Sequence, residues 1–242
     1  MILITRPHEE AKVLEKEFLN IGKECAIDSL INFKLHFKKI PIEKKVLYLI
    51  SSSQAVKALT KYKNKHHQFL TNGEFIVVGQ KVSTELKKIY PIKITKVTKD
   101  SNDMKKFLIS QWRKKNYKKI VFISGSVFNR EFVSYLRKKQ IVLTRKVLYT
   151  TLQTKNFKQK TIRLFNHGKI SHAVFYSSFT AEVFLKLLEM NALEKKVGDI
   201  IPVSLSKRID AILKKSQLFK KTLISKKPNE NSLIKRIITQ KL

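Results

Sequence analysis

An apolar strand, a turn of Ser, Thr or Gly, and an amphipathic helix follow one another six times along this chain. Few folds accept that order. The strands are ILIT (2–5), VLYLI (46–50), FIVVG (75–79), IVFIS (120–124), AVFY (173–176) and IIPVS (200–204). The helix behind the first carries Ala11, Leu14 and Phe18, and that behind the second Ala55, Leu59 and Tyr62. Val82, Leu86 and Ile89 follow the third strand, and Phe132 and Leu136 the fourth. Ala181, Phe184 and Leu188 follow the fifth, and Ile209, Ile212 and Leu213 the sixth. Spacings of three and four give each helix one buried face. The strands are unbroken apolar runs, as in a parallel sheet covered on both sides. Alternation of the two elements implies right-handed βαβ crossovers.

The six units also look like one triplet used twice. The first resembles the fourth, each having a further strand after its helix (CAIDSLI; IVLTRKVLY). The second resembles the fifth, with serines opening the helix, and the third resembles the sixth. The expected fold is therefore α/β, with two similar flavodoxin-like lobes built on parallel sheets. Two extended segments, LINFKLHF (30–37) and KVLYTTLQT (146–154), suit a two-stranded linker between the lobes.

The chain has 242 residues, 43% hydrophobic and 29% charged, enough for a buried core and a charged coat. No run approaches the roughly 20 apolar residues of a membrane helix. The first residues lack the pattern of a secretory signal, and a single cysteine, Cys25, excludes an intrachain disulfide. A cytoplasmic protein is expected. The formal net charge of +33 has two readings. One is a polyanionic partner, such as nucleic acid, an anionic membrane or a polycarboxylate. The other is compositional drift, since lysine and isoleucine abound while glycine (6) and proline (5) are scarce. The basic residues are spread over the chain and lie mostly on the polar faces of amphipathic segments. That favours neither a basic nucleic-acid module nor a membrane surface.

Ligands of open α/β sheets sit at the carboxyl ends of the strands. Here those ends hold Thr5-Arg6, Ser51-Ser52-Ser53, Gly79, Ser124-Gly125-Ser126, Ser177-Ser178 and Ser204-Leu205-Ser206. Each lies at the start of a helix, where free N–H groups and the helix dipole favour anions. Ser and Thr are also ordinary N-caps, so it is the recurrence that points to a ligand with several carboxylates. There is no GxGxxG, no GxxxxGK[ST] and no G-x-S-x-G. The six histidines show no metal-binding spacing. No metal or cofactor is expected, and catalysis would rest on orienting a reactive substrate.

These same strand ends resemble the uroporphyrinogen-III synthase family. Its opening strand ends in T-R-P, here Ile2-Leu3-Ile4-Thr5-Arg6-Pro7. Its T-S-x-N-A-V is matched by Ser51-Ser52-Ser53-Gln54-Ala55-Val56, and its V-G-x-x-T-A-x-x-L by Val78-Gly79-Gln80-Lys81-Val82-Ser83-Thr84-Glu85-Leu86. A glycine and R-E-x-L helix correspond to Gly125 and Arg130-Glu131-Phe132, and V-Y-x-T to Leu148-Tyr149-Thr150-Thr151. F-x-S is matched by Phe175-Tyr176-Ser177, and the last motif by Ser204-Leu205-Ser206. Val82 stands at a threonine position, Gln54 at an asparagine, Gln140 at a common glycine, and Phe179 where some relatives have arginine.

The resemblance implies one discontinuous domain of residues 1–33 plus 153–242 and a second of 38–146, with the cleft between them as the binding site. It implies a monomeric lyase that needs no cofactor. Its substrate would be hydroxymethylbilane, a linear tetrapyrrole with eight carboxylates, closed to uroporphyrinogen III with inversion of ring D and loss of water. Tyr149 would be the catalytic proton donor. Thr5, Arg6, Ser52, Ser53, Gly79, Ser83, Gly125, Ser126, Ser177, Ser178 and Ser206 would bind substrate. A non-catalytic two-lobed protein that binds an anionic ligand, and a basic nucleic-acid-binding module, stand as the alternatives.

Overall fold

The structure, a computed structural model, describes residues 1–239 except Pro41, Tyr90, Arg113 and Lys115. The expected domains run through these four positions and through 240–242, which lie outside the described residues. The chain divides into two compact units, one of Met1–Asn32 with Leu152–Leu242 and one of Phe33–Thr151.

The first unit is built on β1 (Ile2–Ile4) and α1 (His8–Leu19), then β2 (Cys25–Ile27). Its sheet is parallel throughout. β3 (Ile31–Leu35) runs from the first unit into the second, which continues with β4 (Val46–Ile50), α2 (Ser53–Lys61), α3 (His67–Asn72), β5 (Glu74–Val78) and α4 (Gln80–Lys87). It continues through β6 (Lys93–Thr98), α5 (Ser101–Trp112), β7 (Lys119–Gly125), α6 (Arg130–Lys138) and β8 (Leu143–Gln153). The chain then completes the first unit with α7 (Gln159–Asn166), β9 (His172–Phe175), α8 (Ser178–Met190), β10 (Ile201–Ser204), α9 (Lys207–Lys215), β11 (Leu223–Ile224) and α10 (Glu230–Ile238).

The sheet of the first unit runs β11-β10-β9-β1-β2. Counted along the chain within that unit, this is the flavodoxin order 2-1-3-4-5. The sheet of the second unit runs β3-β8-β7-β4-β5-β6. Leaving out β3, the two sheets correspond strand for strand in order when β7 stands for β1, β8 for β2, β4 for β9, β5 for β10 and β6 for β11. The second unit is thus a circular permutation of the first. These equivalences are the ones the sequence triplets paired. β3 lies beside β8, and the bonds from His36 N–H to Leu148 O (2.8 Å) and from Thr154 N–H to Leu30 O (2.9 Å) step in opposite directions along them. The two extended segments therefore pair antiparallel.

All five residues of β4 are buried, as a strand with helices on both faces requires. Tyr48 and Ile50 point into one core with Ala55, Leu59 and Leu86. Leu47 and Leu49 point into the opposite core with Met104, Leu108, Phe132 and Leu136. In the first unit, Ile2 and Ile4 pack with Leu14, Phe18, Val174, Val203 and Leu233. A fully buried Leu or Phe contributes about 1.5–3 kcal/mol, so each helix face is anchored mainly by these few side chains. Among the described residues no helix is long and apolar enough to cross a membrane.

Candidate active site

In the second unit the chain leaves β4 through Ser51 and Ser52 into α2. Ser52 is extended (φ −148°, ψ 142°) and its Oγ accepts the Ala55 N–H at 3.2 Å, the geometry of an N-cap. The same Oγ lies 2.9 Å from the phenol oxygen of Tyr149. A hydroxyl has two acceptor lone pairs and one proton, so Ser52 can serve both partners at once. The cap fixes Ser52, and Ser52 in turn fixes the phenol.

Tyr149 arrives from β8. The register between β7 and β8 shifts at this point, with Ser124 opposite Val147 but Gly125 opposite Tyr149. Leu148 is the extra residue of a bulge, a device that re-aims side chains beside functional sites. Leu148 and Tyr149 are consequently both buried although adjacent in sequence. The Tyr149 ring lies against Gly125, where a Cβ would overlap it. It also meets Phe33 edge to face, centroids 5.5 Å apart at 88°. The ends of the strands are tied by Ser126 N–H donating to Tyr149 O (2.9 Å) and Thr151 N–H donating to Ser126 Oγ (3.0 Å).

Burial pushes the Tyr149 phenol above the ordinary value of 10.0, while hydrogen bonds from Ser52 and the Gly125 backbone pull it back in part. The phenol is thus protonated at neutral pH and able to donate. Beside it is a cavity of about 90 Å³ lined by residues including Ser51, Ser124, Gly125, Phe128, Asn129 and Tyr149.

The remaining expected residues are placed as follows. Gly79 has φ +84°, a conformation natural to glycine, and its N–H donates to Thr98 O at 2.8 Å. Ser53 is the half-buried first residue of α2. Ser83 is buried inside α4, its Oγ without a partner, so it does not meet a ligand as it stands. In the first unit Ser177 caps α8 by accepting the Thr180 N–H at 3.1 Å, and its Oγ lies 2.7 Å from Thr180 Oγ1. Ser178 opens that helix, and Ser206 caps α9. Thr5 is fully buried and donates to Val174 O at 2.7 Å, a bond that holds the sheet. Arg6 lies 4.0 Å over the Tyr176 ring, donates to Glu10 (Nε–Oε2 3.0 Å) and pairs closely with Glu230. Burial and the Glu230 charge push the Tyr176 phenol up. With two carboxylates on it, Arg6 ties α10 to β1.

Sequence reading missed two residues near Tyr149. Asn129 caps α6 by accepting the Phe132 N–H at 3.1 Å. Its place just before the R-E helix was a usable signal. Arg145, on β8, reaches the carbonyl of Gly125, and nothing in the sequence marks it. Among the described residues no cluster of three or more His, Cys, Asp or Glu could hold a metal ion.

A family model described as uroporphyrinogen-III synthase HemD matches residues 34–235. No curated protein sequence matches the chain significantly. Among solved structures, the chain is similar to a uroporphyrinogen-III synthetase from Helicobacter pylori, with TM-score 0.67 and 15% identity over 98% of each chain. It is also similar to a mutant uroporphyrinogen III synthase from the extremely thermophilic bacterium Thermus thermophilus, with TM-score 0.57, 10% identity and coverage of 98% and 96%. At such identities the structural likeness speaks for the fold, and the family model speaks for descent. The chain belongs to the uroporphyrinogen-III synthase family.

Proposed function

We propose that this protein is a uroporphyrinogen-III synthase, a lyase that closes hydroxymethylbilane to uroporphyrinogen III with inversion of ring D. The observation that carries this reading is the Tyr149–Ser52 pair at the carboxyl end of the sheet, with the buried phenol in its protonated form. Tyr149 gives its proton to the terminal hydroxyl of the substrate, which leaves as water. The last ring then attacks, through its substituted carbon, the methylene carbon that the hydroxyl left; the spiro intermediate opens and recloses through the ring's unsubstituted carbon, and the proton released there restores the Tyr149 phenol. Ser52, held by the N-terminus of α2, keeps the phenol in place through these steps.

Substrate binding falls to the strand ends of each unit. Gly79, Ser53, Gly125 and Ser126 serve in the second unit, and Ser177, Ser178 and Ser206 in the first. The helix N-termini at Ser53, Gly79, Ser177, Ser178 and Ser206 suit carboxylates. The cavity beside Tyr149 takes one substituent of the tetrapyrrole. The net charge of +33 raises the encounter rate with a substrate of eight carboxylates, an effect that salt weakens. The protein works as a cytoplasmic monomer without a cofactor.

Tyr149→Phe separates a catalyst from a binding protein. This reading expects the variant to lose turnover by about a hundredfold or more while still binding a linear tetrapyrrole. Unchanged turnover would remove Tyr149 from the chemistry.

A further inference from the structure

Tyr149 owes its aim to the bulge at Leu148, and a bulge in a parallel ladder needs something to hold it. Arg145 is placed to do so. It lies four residues before Tyr149 on the same strand and turns its guanidinium onto the neighbouring strand, β7. Its Nη2 donates to Gly125 O at 2.8 Å and its Nε to Ser124 Oγ at 3.2 Å. Ser124 and Gly125 are the two residues between which the register shifts. The guanidinium also lies 3.4 Å from the centroid of the Phe128 ring, which limits its rotation.

Among the described residues no carboxylate pairs with Arg145. The charge is half-buried, and its partners are a carbonyl, a hydroxyl and an aromatic face. A cation placed this way is costly to desolvate, and burial indeed lowers its proton affinity. The planar guanidinium spans two acceptors at once; an ammonium, a point charge, does not reproduce that fork.

We propose that Arg145 is a positioning residue for the proposed cyclisation: it pins the β7–β8 register shift and thereby sets the phenol of Tyr149 on Ser52. The role in turnover rests on the function proposed above; the structural part does not. Arg145 touches no reacting atom in this scheme and acts through Gly125 and Tyr149.

The test compares the wild-type protein with Arg145→Lys and with Ser124→Ala, each labelled with 13C at the tyrosine Cζ. Loss of the pin is expected to shift the Tyr149 resonance, with the larger change in Arg145→Lys. In the coupled cyclisation assay kcat should fall about tenfold, with KM held within about twofold, as for a misplaced group rather than a lost binding contact. Ser124→Ala leaves the bond to Gly125 intact and should give a smaller change of the same sign, so the inference is still judged if Arg145→Lys does not fold. An unchanged Tyr149 resonance in the folded variants would overturn the proposal. If the wild-type protein produced no type III isomer, the functional reading would fall, and the tyrosine spectra would still decide the role of Arg145.

Discussion

The ring of Tyr149 fills the space that a side chain at Gly125 would need. Gly125 is not among the residues with positive φ, so an alanine could adopt its backbone without strain. The requirement for glycine here is steric and comes from the catalytic candidate itself. Gly125→Ala should therefore displace the ring from Ser52. Overpacking of this kind costs about 1–3 kcal/mol, and a melting curve should show a Tm several degrees lower. Turnover should fall further than that destabilisation explains. A variant with unaltered Tm and turnover would show that the ring has room to move.

Ser52 and Ser177 occupy equivalent places in the two units, each after a strand and each capping a helix. Replacing either with alanine should cost about 1 kcal/mol of stability from the lost cap, measurable by urea denaturation. Only Ser52 also holds a tyrosine. Ser52→Ala should thus reduce kcat well below that of Ser177→Ala at matched stability. Equal kcat values would mean that the bond to Tyr149 has no catalytic part.

Tyr117 is pushed up to about 12, first by burial and then by its hydrogen bond to Glu74. A raised folded-state value means that stability is complete below the unfolded value near 10 and is lost as pH rises through 12. Tyr117→Phe should be less stable at pH 8, by about 1–2 kcal/mol for the lost bond to a carboxylate. It should lose less stability than the wild type between about pH 9 and 11.5. Parallel losses in the two proteins would contradict the assignment.

His66 makes the opposite case. It is buried at 2% exposure against Phe37 and Phe69, its Nε2 has no partner, and burial lowers its proton affinity. Folding then excludes a proton that the unfolded chain binds. Stability is complete above the unfolded value of 6.5 and falls as pH drops below it. Denaturation at pH 7.5 and 5 should show a smaller acid loss in His66→Phe than in the wild type. Each pH unit of full effect corresponds to about 1.4 kcal/mol.

The central strands were legible because parallel strands buried on both faces leave unbroken apolar runs such as VLYLI and FIVVG, whereas the half-exposed β6 and the two-residue β11 at the sheet edges were not read. The pairing of triplets was legible for the same reason, and it anticipated the permuted equivalence of the two sheets. α5 was not read, although Met104, Phe107, Leu108 and Trp112 fall three and four apart along it and pack on one core. Within the site, Ser52 and Tyr149 could be named from their motifs, but their bond could not. It depends on the extra residue Leu148, which tertiary packing sets and no local pattern announces. Thr5 and Arg6 fit their motif equally well, yet the fold turns one onto Val174 O and the other onto Glu10 and Glu230. Whether a strand-end hydroxyl or cation is free depends on neighbours far away in sequence.

Ring inversion is read from the isomer that the protein makes. Hydroxymethylbilane is generated enzymatically, the purified protein is added, and the oxidised uroporphyrins are separated by chromatography. The wild-type protein should give mostly the type III isomer, and Tyr149→Phe type I, the product of uncatalysed closure. Only type I from the wild-type protein would contradict ring inversion.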